Sequence, residues 1–231
     1  MTTPDSTQSA TIMEIHRQLR DLYGDRPHRP DGDPLAALVN TILSQNTNDR
    51  NRDMAFAALR EQFPTWEAVR DAPVDAIIEA IRPAGLAPTK GPTIKAALQR
   101  ITAERGELSL AFLETLPLEE ARKWLMDLNG VGPKTAAIVL LFALGRPAFP
   151  VDTHVHRVTR RLGLIPQNTS REKAHTLLED RVPPELYWTL HLNLIAHGRQ
   201  VCHARKPECD KCPLQTQCAY YQELQEGGQS P

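Results

Sequence analysis

The chain has 231 residues, 41% of them hydrophobic and 24% charged, with a formal net charge of −1. This fits a globular protein with one large core or two modest ones, and no apolar run approaches the roughly 20 residues of a membrane-spanning helix. Near-neutral charge supplies no global field for a polyanion, so no membrane role is expected and any polyanion must be met by local charge.

The start, MTTPDSTQSA, lacks the basic, apolar and small-residue blocks of a secretory signal, which points to a cytoplasmic protein. A polar tail over 1–10 is expected to be disordered. Thr11 to Tyr23 has the spacing of a first helix, and GDRPHRPDGDP (24–34) reads as a loop. Leu35 to Leu43, about Asn48 to Phe63, Thr65 to Asp71, Pro73 to Arg82 and Thr89 to Arg105 carry apolar residues at helical spacing. Pro64, Pro73, Pro83 and Pro88 mark their boundaries. Leu118, Ala121, Leu125 and Leu128 form one amphipathic stripe, whereas Ala136 to Leu144 is apolar on every side and is expected at the centre of the fold. Asp152 or Thr153 caps a helix reaching Leu162, Ser170 caps another, and Pro184 to His197 precedes a cysteine-rich end. Residues 222–231 are expected to fray. Period-two alternation is almost absent, so the chain is expected to be all-α.

The stretch LNGVGPKTA (128–136) demands a tight turn between two helices. Gly130 and Gly132 can supply unusual backbone angles, Val131 can plug inward, and the N–H groups of the turn can face an anion such as a DNA phosphate. This is a helix-hairpin-helix pattern. Lys134 follows in the first helical turn, where the macrodipole disfavours a protonated ammonium. A neutral amine there suits attack on a sugar carbon to form a Schiff base. The helix rises about 15 Å from Lys134 to Leu144, and the segment from Arg146 to Asp152 can span up to roughly 23 Å. Asp152 can therefore return toward the lysine, accept protons and stabilise positive charge while capping its own helix. His154 and His156 have no recognisable partner in sequence and are left out of the catalytic set. Between Gly130 and Gly163, Lys134, Arg146, Arg157, Arg160 and Arg161 face only Asp152 in the charge balance, a local basic stretch.

All four cysteines, Cys202, Cys209, Cys212 and Cys218, lie in CHARKPECDKCPLQTQC. Clustered thiols without an export signal indicate a metal site rather than disulfides, and spacing alone leaves zinc and an iron–sulfur cluster open. Arg205 and Lys206 lie in the loop between the first two cysteines, where a rigid centre would present them to phosphates.

Together these motifs resemble the endonuclease III family of DNA glycosylase/AP lyases, over about residues 11 to 221. The resemblance implies Lys134 as the Schiff-base nucleophile, Asp152 in VDTH as the catalytic carboxylate, and a [4Fe-4S] cluster on the four cysteines. It also implies Leu86 as an apolar wedge in AGLAPTK, and Gln45 and Asn46 of LSQNTND (43–49) as supports for the orphaned base. The implied architecture is two-lobed: a helical-barrel domain with the hairpin over 30–147, and a cluster domain over 11–29 and 148–221, with DNA between them. The chain departs from the family pattern in LSQNTND, where Asn46 stands at the usual glutamine position, and in the hairpin, where Asn129 and Pro133 replace a proline and an arginine. Losing that arginine removes a phosphate contact.

The implied function is excision of oxidised pyrimidines of the thymine glycol type from duplex DNA, with a nick 3′ to the abasic site by β-elimination. The expected partner is double-stranded DNA carrying damaged bases or abasic sites, met by a monomer, near the nucleoid if the source is bacterial. Two rivals remain: a monofunctional adenine- or mismatch-specific glycosylase, and a DNA-binding protein with weak catalysis.

Overall fold

The computed structural model describes residues 6–26 and 32–227, with the side chains of 6–8 excepted. Every regular element among them is helical. The chain divides into two compact units, Met1–Arg29 with Pro147–Pro231, and Pro30–Arg146. No helix among the described residues is long and apolar enough to cross a membrane.

The Pro30–Arg146 unit begins with α2 (Pro34–Leu43), where Pro34 opens the helix and the Asp33 carboxylate accepts from Leu35 N at 2.8 Å. The same carboxylate accepts from the Trp66 indole N–H, tying this cap to α4 (Trp66–Asp71). Asn48 caps α3 (Asp49–Gln62), and Thr65 caps α4. These caps satisfy helix N–H groups that would otherwise lack partners. α5 (Val74–Ala80) leads through a 3-10 turn, Arg82–Ala84, to α6 (Ala87–Arg105). Helix α6 opens two residues earlier than Thr89 because Pro88 fits the first turn, where a missing N–H costs nothing. A Cβ on Gly91 would stand 2.7 Å from Ile78 Cγ1, so the glycine lets this helix pass close to the α5 segment.

α7 (Leu118–Met126) and α8 (Pro133–Ile138) flank the expected hairpin. The apolar run does not remain α-helical to Leu144. It widens into a π-helical turn, Val139–Ala143, where Leu144 N donates to Val139 O at 3.2 Å. Leu38, Ile42, Leu98, Leu125, Ala136, Ala137 and Leu140 are buried in this unit.

The other unit contains α1 (Ser6–Tyr23), α9 (Thr153–Arg161), α10 (Arg171–Glu179), α11 (Tyr187–Gln200) and α12 (Ala219–Glu226). Ile12, Ile15 and Leu19 form the buried stripe of α1, and Phe149 meets Tyr187 and His191 edge-on at 5.1 and 6.2 Å. Both expected tails are partly helical. Nothing between Asp5 and Gly24 breaks α1, so it takes in residues 6–10. α12 extends through 222–226 from an anchored start, with Tyr220 under the Arg161 guanidinium at 4.8 Å and Ala219 packed beside Gly163. Residues 1–5 and 228–231 of those tails, and 27–31 of the expected loop, lie outside the described residues.

Candidate functional site

The turn between α7 and α8 has the geometry its glycines call for. Gly130 sits at φ 76°, a left-handed angle that favours glycine, and a Cβ there would stand 2.7 Å from Thr93 Cγ2. Gly132 is extended, at φ −97° and ψ −178°, and opens α8 as its N-cap. Val131 plugs inward with 5% of its surface exposed, and its N–H donates to Leu128 O at 3.1 Å. Pro133 takes the first helical position, and Lys134 follows, half-buried, beside the buried Thr135, Ala136 and Ala137. Lys134 is less enclosed than a fully buried helix start would make it.

Two further turns in the same unit carry the expected DNA contacts. Gln45 and Asn46 follow α2, and Leu86 precedes α6. Asn46 and Leu86 both adopt φ 51°, a left-handed backbone that non-glycine residues rarely take. Leu86 is 55% exposed, an apolar side chain held out into solvent. The Gln45 amide donates to Gly130 O at 3.0 Å, joining its turn to the hairpin.

The sequence reading missed Lys90. Lys90 is 2% exposed, and its ammonium donates to Leu43 O at 2.7 Å and to Ala84 O at 2.9 Å. Burial holds its pKa below the ordinary lysine value. A signal was present: Lys90 lies on the stripe Ala87, Gly91, Ile94, Leu98 and Ile101 that α6 buries, where a lysine needs buried acceptors.

Asp152 belongs to the other unit. It is half-buried and caps α9, its carboxylate accepting from Val155 N at 2.7 Å. Its second carboxylate oxygen has no part in that cap. Arg157 Nη2 donates to His154 Nδ1 at 3.1 Å, and His156 Nε2 donates to Thr169 O at 2.8 Å. Both contacts suit structural histidines.

The basic stretch from Gly130 to Gly163 is largely consumed internally. Arg146 donates to Leu113 O, Arg157 to Cys202 O and Gly198 O, and Arg161 to His203 O and Ala204 O. Counting those arginines as one basic field therefore overstates the charge free to meet phosphate, because guanidinium N–H groups are committed to carbonyl oxygens. Arg205 and Lys206 are exposed, and Lys206 adopts φ 50°.

Cys202, Cys209, Cys212 and Cys218 line one cavity of about 390 Å³, counting its open mouth, together with Val158, Leu162, His197 and Tyr220. None of the four forms a disulfide. Among the described residues, no three His, Cys, Asp or Glu side chains gather closely enough to hold a single metal ion. Burial pushes the Cys212 thiol up to about 11 and raises Cys209 and Cys218, each further opposed by neighbouring thiolates. Thiols that resist ionisation alone, as these three do, are stabilised as thiolates by a multiply positive centre. Donors are in place: Arg161 Nη1 lies 3.2 Å from Cys202 Sγ, and His197 Nε2 lies 3.5 Å from Cys212 Sγ. Tyr23 Oη meets the other ring nitrogen of His197 at 3.1 Å, and burial lowers the His197 pKa to about 4. A neutral imidazole can accept from Tyr23 and donate to the sulfur. Sulfur set, cavity and donors fit a polynuclear iron–sulfur centre.

Comparison with known proteins agrees with this geometry. Residues 39–184 match the family model described as HhH-GPD superfamily base excision DNA repair protein. The chain is 32% identical to endonuclease III of Thermotoga maritima over 218 residues, which is 94% of this chain and 96% of that protein. It is 41% identical over 190 residues to a candidate DNA glycosylase of Arabidopsis thaliana, covering 78% of this chain and 64% of the length of that relative. A non-covalent endonuclease III–DNA complex superposes with a TM-score of 0.79 at 27% identity, over 98% of this chain and 100% of that one. The chain belongs to the HhH-GPD superfamily of base excision DNA repair proteins and, within it, to the endonuclease III-type DNA glycosylases.

Proposed function

We propose that this enzyme is bifunctional, excising oxidised pyrimidines of the thymine glycol type from duplex DNA and then nicking the strand 3′ to the abasic site. The observation that carries this reading is Lys134, set one residue beyond a proline at the mouth of the hairpin, with the Ala136 and Ala137 core directly behind it. The amine attacks C1′, the glycosidic bond breaks, and the base leaves with its bonding electrons. The C1′–O4′ bond then opens as O4′ takes a proton and becomes a hydroxyl, and loss of the amine's proton completes the Schiff base. Asp152 accepts that proton and stabilises the positive sugar through the carboxylate oxygen not engaged with Val155 N. Removal of a C2′ proton then expels the 3′ phosphate by β-elimination.

Base access comes first. Extrusion of the damaged nucleotide costs a few kcal/mol and is easiest where the pair is already weakened. Leu86, exposed and rigidly turned, fills the gap, while Gln45 and Asn46 support the orphaned base. The N–H groups of Gly130 and Gly132 hold a phosphate, that of Val131 being engaged with Leu128 O, while Arg205 and Lys206 meet the backbone from the cysteine loop. Cys202, Cys209, Cys212 and Cys218 would hold a [4Fe-4S] cluster, which supplies cross-linking to a loop with little core of its own. The protein acts as a monomer.

Borohydride trapping tests the reading, with one duplex carrying an abasic site and another carrying thymine glycol. Native protein is expected to form a covalent adduct on both, and Lys134→Gln on neither. Native, cluster-loaded protein that releases thymine glycol without an adduct would make it monofunctional. Duplex binding with neither base release nor adduct would make it a binding protein.

A further inference from the structure

An ammonium group is rarely buried without a carboxylate partner, because removing it from water is costly unless the interior replaces every lost interaction. Lys90 is 2% exposed, and no carboxylate pairs with it among the described residues. Its partners are instead two carbonyl oxygens that are far apart in sequence. Leu43 ends α2, and Ala84 ends the 3-10 turn Arg82–Ala84. Both would be orphan acceptors at helix ends.

The residues just beyond each carbonyl give the arrangement its meaning. Asn46 lies three residues beyond Leu43, and Leu86 lies two residues beyond Ala84; both are held at φ 51°. Such backbones persist where the surrounding structure over-determines them. Lys90 also grips the second turn through its own backbone, its N–H donating to Leu86 O at 2.9 Å. One side chain thus ties together the bases of two strained, solvent-facing turns.

We propose that Lys90 is the positioning residue of base extrusion, fixing the Leu86 and Asn46 turns at one separation so that both enter the duplex as a single wedge. The inference rests on the function proposed above for those turns. Lys90 itself touches neither DNA nor the reacting atoms. Burial works against its charged form, and the hydrogen bonds to Leu43 O and Ala84 O take the place of a charge partner. A duplex with an intact pair needs the wedge most, and one with a preformed abasic site needs it least.

The test compares native protein, Lys90→Met and Lys90→Arg. Single-turnover base release from a thymine glycol duplex is expected to fall at least about tenfold in Lys90→Met, since small misplacements of positioning groups cost this much or more. Borohydride trapping on the abasic duplex should fall by less than about threefold, with Lys90→Arg recovering most of the difference because its fork can reach both carbonyls. Fluorescence of 2-aminopurine placed beside the lesion reports extrusion without chemistry, and its rise should be smaller and slower in Lys90→Met. Equal losses on both duplexes with a fluorescence change like native protein would mean that Lys90 supports the fold only, which overturns the proposal. Unchanged excision in Lys90→Met would overturn it as well. Should Lys90→Met fail to fold, Lys90→Gln, whose amide can reach one carbonyl, is read by the same ratio and should lie between native and zero. Native protein that extrudes the base but forms no adduct would refute the lyase reading and leave the fluorescence comparison to judge Lys90.

Discussion

The side-chain amide of Gln45 donates to the carbonyl of Gly130 at 3.0 Å, across 85 positions of sequence. It couples the turn after α2 to the glycine hairpin, two loops that have no covalent reason to move together. In Gln45→Ala this exposed bond is lost, at about 0.5–1.5 kcal/mol for a typical net hydrogen bond. Affinity for an abasic duplex should fall roughly threefold to tenfold by fluorescence anisotropy, with the thermal midpoint nearly unchanged. An unaltered Kd would mean that the two loops bind DNA independently.

Gly130 carries two separate constraints, a left-handed φ and a Thr93 methyl 2.7 Å from where a Cβ would stand. Gly130→Ala should therefore destabilise by more than the roughly 1 kcal/mol of a conformational penalty alone. Adding Thr93→Ala removes the steric part and leaves the backbone part. Urea unfolding of both single variants and the double variant measures the coupling, and strict additivity would rule out the clash.

The cysteine cavity makes a prediction about metal. Native protein should bind about four irons and absorb broadly near about 400 nm, and Cys212→Ser should lose most of both. A colourless native protein holding one zinc would refute the cluster. Arg161→Leu should retain iron at first but lose it faster to chelators, since it withdraws a donor from Cys202 Sγ and two bonds from His203 O and Ala204 O.

His16 gives a pH dependence. It lies at 9% exposure on α1, with Nδ1 unpartnered among the described residues, and burial followed by the nearby Arg20 charge lowers its pKa. The nearby Asp25 carboxylate opposes that shift without reversing it. As pH falls through the ordinary histidine range, near about 6.5, the unfolded state binds a proton that the folded state resists, so stability falls with pH. The urea midpoint of His16→Leu should change less than that of native protein between pH 7.5 and 5.5. Identical changes would place the titrating group elsewhere.

Features set by short-range chemistry were legible in the sequence. Asp152 and Ser170 cap the helices expected of them, the LNGVGPK stretch makes its turn, and the cysteines share a cavity, because each depends on residues close by. Features set by distant partners were not. Net charge counted Arg157 and Arg161 as free, although their acceptors lie more than 40 positions away. Lys90 was passed over for the same reason: its acceptors are backbone carbonyls, which no residue type announces. The run from Ala136 to Leu144 is apolar on every side, so it has no polar face from which a change of helical pitch could be read.

That change of pitch carries a consequence for evolution and for engineering. The π turn Val139–Ala143 accommodates one residue more than an α-helical path between the same ends, and it feeds directly into Arg146, whose N–H donates to Leu140 O and whose guanidinium closes on Leu113 O. Had the same extra residue been wound into a regular helix instead, everything after it would be turned by about 100° around the axis. Arg146 N–H would then lose Leu140 O as its acceptor. The segment Val139–Ala143 should thus tolerate loss of one residue, which restores a regular helix between the same ends, better than gain of another.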